Sequence, residues 1–198
     1  MPVIEVDVSD NKFGFLKTLV ECREEIVNEY NQCIDIDYTT NLFATNWDFV
    51  NLFHAKVGAT DNLNQFPSIS KFIKKVPKNI QISFIALSKI EYGDTGFHDE
   101  QWTKQKGYYR IHFPLDNIQG SSIFVVEDNG TTVEYRYELG KVYIFTNPYN
   151  SHKPNNFNEN GGSRLMLLVD LVDKDENQDL DETELFDSYL AAHRELGH

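Results

Sequence analysis

Two histidines, a carboxylate and an arginine stand out in this chain for the chemistry that their spacing allows. His98 and Glu100 are separated by one residue, His152 follows much later, and Arg164 opens an apolar stretch. A His-x-carboxylate pair with a distant second histidine is a pattern that binds non-haem Fe(II) on one face. An arginine suits a dianionic co-substrate because its planar fork donates two hydrogen bonds to one carboxylate. The spacing therefore favours an iron oxygenase that consumes 2-oxoglutarate.

Two alternatives stay open at this point. Asp99 lies next to Glu100 and is also a competent ligand, so either carboxylate, or neither, is the third ligand. A non-catalytic cupin-type protein that binds a ligand without chemistry would also use Arg164. Such a protein would have no reason to bring His98 and His152 together, which makes it the second choice.

Further polar residues alternate with apolar ones on predicted strands. Arg110 and His112 are two apart, so both side chains face the same side of their strand. Donor groups on the inner face of a barrel are costly unless an anion meets them. That anion is either an internal Asp or Glu or the carboxylate of a ligand. Ser88 and Arg164 raise the same question, Arg164 with more force because residues 165–169 are wholly apolar.

The bulk composition describes a folded protein outside membranes. The chain has 198 residues, is 40% hydrophobic and 13% aromatic, and has no apolar run of the roughly 20 residues that a bilayer-spanning helix needs. Its N-terminus lacks the basic start and apolar stretch of a secretory signal. Cys22 and Cys33 are too few for a disulfide scaffold, so we expect reduced thiols and a cytoplasmic location.

The formal net charge of −13 disfavours nucleic acid as a partner, because phosphate binding depends on Lys and Arg. Between residues 170 and 198 there are 10 acidic and 2 basic residues, so −8 of this charge lies in the tail. A solvated surface explains such a tail most simply, while attraction of a cationic substrate is the functional alternative. We expect a small-molecule or peptide substrate and molecular oxygen as partners, with neither nucleic acid nor membrane.

Local patterns divide the chain into three parts of one predicted domain: a helical front over 1–79, a β core over 80–172 and an acidic helical tail over 173–198. Short strand patterns separated by turn residues fill the core, with an Asn-Gly turn at residues 129–130 between two of them. Pro67 is placed to open a short helix. The predicted fold class is mainly β with flanking helices, a double-stranded β-helix (jelly roll, cupin-like).

The stretch from Pro77 to Asp170 resembles the aspartyl/asparaginyl β-hydroxylase-like oxygenases, which include small bacterial enzymes of the proline 3-hydroxylase type. The motifs occur in order: the strand leading into the turn before His98, Arg110-Ile111-His112-Phe113, Gly140-Lys141-Val142-Tyr143-Ile144-Phe145, His152, and Arg164 followed by apolar residues ending in Val169-Asp170. The chain departs from the small-molecule hydroxylases at Glu100, where they have His-x-Asp, and the segments 100–109 and 152–164 are longer than usual.

The resemblance implies a double-stranded β-helix, Fe(II), 2-oxoglutarate and molecular oxygen. Carried over by position, His98, Glu100 and His152 would bind iron. Arg164, with Ser88 helping, would hold the distal carboxylate of 2-oxoglutarate, and Arg110 and His112 would lie near its metal-binding end. The implied reaction is hydroxylation of an amino-acid side chain, free or in a peptide, with release of succinate and CO2.

Overall fold

The computed structural model describes residues 3–10, 12–33, 36, 38–40, 46–100, 104, 106–146, 149–159 and 161–177. The strands are β1 (Val3–Glu5), β2 (Thr39–Thr40), β3 (Trp47–His54), β4 (Gly58–Ala59), β5 (Ile80–Ile90), β6 (Gly93–Asp94), β7 (Tyr108–Asp116), β8 (Ser121–Val126), β9 (Thr132–Arg136), β10 (Tyr143–Phe145), β11 (His152–Asn156) and β12 (Arg164–Asp173). The helices are α1 (Lys17–Glu21), α2 (Arg23–Gln32) and α3 (Pro67–Ile73), with 3-10 turns at Gly14–Leu16 and Asp61–Gln65.

Two antiparallel sheets form the β structure of the described residues. The main sheet has the order β1-β10-β7-β12-β5-β3-β2, with β4 paired to β3, and the smaller sheet has the order β6-β11-β8-β9. Apolar side chains of both sheets pack together between them, namely Ile123 and Val125 from β8 with Phe145, Met166 and Leu168 from the main sheet. From β5 onward most successive strands alternate between the sheets, with β8 and β9 together in the smaller one, which is the jelly-roll arrangement. The predicted double-stranded β-helix is therefore confirmed.

The two faces of the main sheet have different surroundings. Along β12, Leu165, Leu167 and Val169 point outward into the core that the helices cover. Met166 and Leu168 point inward, toward the smaller sheet. Each fully buried side chain of this kind stabilises the fold by roughly 1.5–3 kcal/mol. The helices thus seal the outer face, and the inner face is left to line the interior of the jelly roll.

Local sequence signals correctly predicted two junctions. The Asn-Gly turn closes the β8–β9 hairpin, where Glu127 N–H donates to Thr131 O at 2.8 Å and Gly130 adopts a φ of 81°. A positive φ favours glycine because no Cβ clashes with the backbone. Pro67 is the first residue of α3, and the Glu29 carboxylate accepts from the backbone N–H of Ser68 at 3.1 Å.

Three expectations about individual segments need correction. The segment 1–79 is not only helical, because it contributes β1 to β4, and β3 pairs along β5. The segment 152–156 is a strand despite its Asn and Pro residues, and Pro154 is accommodated opposite Ile123. The segment 91–107 is polar and contains three glycines, which predicts a loop, but it contributes β6, which pairs with β11. These pairings are distant in sequence, so local propensity did not reveal them.

The remaining domain expectations stay predictions. The helix expected near Asp181, and with it most of the acidic tail, lies outside the described residues. Among the described residues, no helix has the length and apolar character needed to cross a membrane.

Candidate metal and co-substrate site

The imidazoles of His98 and His152 are brought together by the backbone. His98 N–H donates to His152 O at 2.9 Å, and His152 N–H donates to His98 O at 2.7 Å, forming an isolated antiparallel bridge between a residue that follows β6 and the first residue of β11. The two ring centroids are 4.4 Å apart. Directly opposed residues of an antiparallel pair place their side chains on the same side. A pairing between distant segments thus creates the histidine pair that the sequence predicted.

Glu100 completes a cluster with these histidines. One potential ligand atom from each of the three residues lies within 4.8 Å of the others, and all three residues belong to the buried cluster. Donors this close can share one cation after a small movement of the side chains, since such ions bind oxygen and nitrogen ligands at about 2 Å. Asp99, the alternative ligand, is exposed and does not belong to the cluster. The structure therefore favours Glu100 over Asp99.

The histidines have the protonation state that a divalent ion requires. Nδ1 of His98 lies 3.2 Å from Gly96 O, and Nδ1 of His152 lies 2.8 Å from Asn150 O. A carbonyl oxygen only accepts, so Nδ1 carries the proton and the lone pair of each neutral ring is on Nε2. Burial lowers the pKa of His98. Burial, and then the neighbouring His98 imidazole, lower the pKa of His152 well below its usual range.

Arg110 lies on the inner face of β7, as predicted, but it is engaged by carboxylates of the chain itself. Its Nε and Nη2 donate to Oδ1 and Oδ2 of Asp170, each at 2.7 Å. Its Nη1 donates to Oε2 of Glu100. Asp170 and Glu100 thus supply the anions that a buried guanidinium needs, and the placement of Arg110 near the metal-binding end of 2-oxoglutarate stays a prediction.

His112 lies on the same face, two residues from Arg110. Its Nδ1 is 2.6 Å from the Tyr137 hydroxyl, and its ring packs edge-on against Phe145. Burial lowers the pKa of His112 well below the usual range, and the charges of Arg110 and Arg164 lower it further.

Arg164, the first residue of β12, is buried and has little to neutralise it. Its Nη1 donates to Asn155 O at 3.3 Å, and its Nε has no hydrogen-bond partner among the described residues. No carboxylate of the described residues lies within 4.0 Å of its guanidinium. Burial lowers the pKa of Arg164 to about 10, so the group still carries its charge at neutral pH. A buried cation without a counter-ion is expensive, and an anionic ligand would remove that cost.

Ser88 also faces the interior, but its hydroxyl already accepts a hydrogen bond. Trp47 Nε1 donates to Ser88 Oγ at 2.8 Å, and the Trp47 ring packs against His98 at 5.2 Å between centroids. Ser88 is two positions along β5 from Ile90, which pairs with Arg164. Its hydroxyl proton can still serve an acceptor beside Arg164.

Sequence reasoning missed Trp47 and Tyr137. Trp47 opens β3, where aromatic residues at positions 47 and 49 alternate with other residues in a strand-like pattern. That period was the available signal for a strand whose alternate residues face the interior. Tyr137 follows β9, and nothing local distinguishes it from the other tyrosines of the chain.

Sequence searches found no matching family model and no similar curated protein. Several solved structures share the fold. A 2OG-Fe(II) oxygenase family oxidoreductase from Burkholderia pseudomallei matches with a TM-score of 0.56 and 9% identity, over 88% of this chain and 86% of that one. A Trichoplax adhaerens prolyl hydroxylase, in complex with a hypoxia-inducible-factor peptide, matches with a TM-score of 0.53 and 10% identity, over 89% and 86%.

A third match carries bound ligands. HygX from Streptomyces hygroscopicus, solved with nickel, 2-oxoglutarate and hygromycin B, has a TM-score of 0.50 and 10% identity over 87% of this chain and 83% of that one. The shared feature is the double-stranded β-helix. Identities this low extend no further than the fold, so the resemblance to the aspartyl/asparaginyl β-hydroxylase-like enzymes stays a prediction.

Proposed function

We propose that this protein is an Fe(II)- and 2-oxoglutarate-dependent dioxygenase. One observation carries the proposal: two neutral, buried histidines and a carboxylate cluster inside a jelly roll that also buries a guanidinium without a carboxylate partner among the described residues. Fe(II) needs neutral imidazoles and a carboxylate. A dicarboxylate that reaches from the ion to Arg164 would supply the missing anion.

The residues then have distinct roles. His98, Glu100 and His152 would hold the ion on one face. Arg164, helped by the Ser88 hydroxyl, would bind the distal carboxylate of 2-oxoglutarate. When bound, iron and 2-oxoglutarate supply oxidising chemistry in which O2 and 2-oxoglutarate become succinate and CO2, with one oxygen atom inserted into a C–H bond of the substrate.

The interior of the jelly roll supports this chemistry because buried apolar side chains line it. His112 is a buried group on the same inner face and stays neutral, because burial lowers its pKa well below the usual range. Phe145, Met166 and Leu168 line the same face and are buried. Apolar walls exclude water, which strengthens the pairing of a bound carboxylate with Arg164.

Binding of the two ligands can be tested directly. Anaerobic addition of Fe(II) and 2-oxoglutarate should give a weak visible charge-transfer band, and exposure to air should produce succinate. Glu100→Gln should lose both signals because an amide binds Fe(II) poorly, while Asp99→Asn, at the exposed neighbouring carboxylate, should keep them. A wild-type protein that gives neither the band nor succinate would overturn the proposal.

The finer part of the proposal is the substrate. We propose an amino-acid side chain, free or in a peptide, as the hydroxylated group, and the acidic net charge of −13 favours a cationic one. The test is a panel of free amino acids and short peptides scored for substrate-stimulated succinate release, with the +16 Da product found by mass spectrometry. Stimulation only by compounds without an amino-acid moiety would overturn this choice.

A further inference from the structure

A buried chain of three charges runs from the metal cluster to the central strand of the main sheet. Glu100 accepts a hydrogen bond from Arg110, and Arg110 pairs with both oxygens of Asp170. All three residues are buried, with exposed fractions of 9%, 7% and 3% in that order. The three come from separate segments: the residues after β6, strand β7 and strand β12.

Glu100 needs an external support more than the histidines do. His98 and His152 are fixed by their mutual backbone hydrogen bonds and by Nδ1 contacts to backbone oxygens. Glu100 lies outside any strand, next to the exposed Asp99, and has three side-chain torsions to restrain. Ordering such a side chain costs on the order of 1–2 kcal/mol.

Arg110 is well placed to supply that support. It lies in β7, which pairs with β10 on one side and β12 on the other. Asp170 is directly opposite Arg110 in the β7–β12 register and holds the guanidinium by a two-pronged ion pair. The ion pair with Asp170 therefore restrains the guanidinium independently of its contact with Glu100.

We propose that Arg110 is a positioning residue that orients the Glu100 carboxylate toward the metal site, and that Asp170 fixes Arg110 in the orientation required. This inference rests on the proposed metal site. The Oε2 atom of Glu100 accepts from Arg110, so the guanidinium restrains the orientation of the carboxylate. The arrangement suits a glutamate at this position, because its longer side chain has more freedom than an aspartate and gains more from an anchor.

The test is a Co(II) titration without 2-oxoglutarate, followed by visible absorption, so that it does not depend on turnover. Arg110→Met should weaken Co(II) binding by about 10- to 100-fold, the usual effect of removing a group that orients a ligand. Arg110→Lys should also weaken it at least about tenfold, because an ammonium keeps the charge but cannot hold two carboxylates as a planar fork does. This variant keeps the measurement possible if Arg110→Met does not fold.

A matched control and a double-mutant cycle separate positioning from other effects. Arg136→Met removes an arginine whose side chain is 80% exposed and that lies outside the site, and it should leave Co(II) affinity unchanged. In a Glu100→Gln background, Arg110→Met should cause no further loss, because Arg110 acts through Glu100. Asp170→Asn should weaken Co(II) binding in the wild type, and should cause no further loss in the Arg110→Met background.

Several results would overturn the positioning role. Tighter Co(II) binding by Arg110→Met, together with unchanged binding by Arg110→Lys, would mean that Arg110 only repels the ion. Unchanged binding by both, with a lowered melting temperature, would mean a purely structural salt bridge. Failure of the wild type to bind Co(II) at all would instead overturn the proposed function, and the positioning role with it.

Discussion

Two arginines on the inner face of the main sheet have opposite surroundings. Arg110 pairs with Asp170 through two nitrogens and with Glu100 through the third. Arg164 donates one hydrogen bond at 3.3 Å to a backbone oxygen, and its Nε has no partner among the described residues. Both are buried, with exposed fractions of 7% and 2%. Burial alone therefore does not distinguish them, but their counter-charges do.

Arg110 therefore has its counter-ions within the protein, whereas Arg164 requires a ligand to supply one. A buried ion pair roughly offsets its own desolvation, whereas a buried cation without an anion leaves a penalty of several kcal/mol. The pKa values follow this division. The carboxylates of Asp170 and Glu100 hold the pKa of Arg110 well above its usual value despite burial, while burial lowers the pKa of Arg164 to about 10. The comparison predicts opposite responses when each arginine is removed.

The largest expected effect is on folding stability at Arg110. Arg110→Met should lower the free energy of unfolding of the metal-free protein by about 3–5 kcal/mol, because it leaves two buried carboxylates without their cation. Urea unfolding followed by circular dichroism measures this. Arg136→Met is the control, since the Arg136 side chain is 80% exposed and its ion pair with Glu134 at 3.3 Å should contribute little. Equal losses in the two variants would contradict the assignment of Arg110 as an internal counter-ion.

Removal of Arg164 should affect ligand binding rather than folding. Without 2-oxoglutarate, Arg164→Met should be as stable as the wild type or slightly more stable, because a buried unpaired charge is gone. With Co(II) present, its affinity for 2-oxoglutarate should fall about 100-fold, or about 3 kcal/mol, as expected for loss of one partner of a buried charge pair. Calorimetric titration measures both proteins. A stability loss as large as that of Arg110→Met, with unchanged 2-oxoglutarate affinity, would reverse the comparison.

The sequence predicted the elements that carry local signals and missed those that depend on distant pairing. The β8–β9 hairpin and the start of α3 follow from Asn-Gly and from Pro67, which restrict the backbone locally. Strand β11 contains Asn and Pro, which disfavour strands, and it forms because β6 and β8 flank it. Its formation could not be predicted from its own residues.

The same distinction applies to the site. Residue type and spacing predicted His98, Glu100 and His152, and the backbone bridge between the two histidines brings them together. The partner of Arg110 was left open between an internal acid and a ligand. Only the β7–β12 register, which places Asp170 opposite Arg110, decides the question.

His112 provides a smaller, pH-dependent way to sharpen the comparison, because the charges of both arginines reach it. Burial, then Arg110 and Arg164, lower the folded-state pKa of His112 well below 6.5. As the pH falls through 6.5 the unfolded chain binds a proton that the folded protein excludes, so stability is present above this pH and is lost below it. Between pH 7.5 and 5.5 the wild type should lose about 1.4 kcal/mol more than His112→Asn.

Urea unfolding of both proteins at the two pH values measures this difference. In an Arg164→Met background the extra loss should shrink, since one of the repelling charges is absent. Losses of equal size with and without His112 would show that the imidazole already accepts a proton in the fold, and would place it outside the field of the arginines.

The smallest expected effect concerns the Tyr137 hydroxyl, which lies 2.6 Å from His112 Nδ1. Tyr137→Phe leaves that nitrogen without its partner and should lower the free energy of unfolding by about 1 kcal/mol. Burial raises the pKa of Tyr137 and the charge of Arg164 offsets only part of that rise, so the phenol stays protonated and can donate a hydrogen bond. If the Tyr137 hydroxyl also contacts the bound dicarboxylate, Tyr137→Phe should weaken 2-oxoglutarate binding several-fold, which is much less than the effect of Arg164→Met.

Tyr135→Phe, on a partly exposed hydroxyl that donates to Glu127 at 2.9 Å, is the matched control. A loss of 2-oxoglutarate affinity in Tyr137→Phe that equals the Arg164→Met loss would mean that the neutral hydroxyl, and not the unpaired guanidinium, holds the ligand.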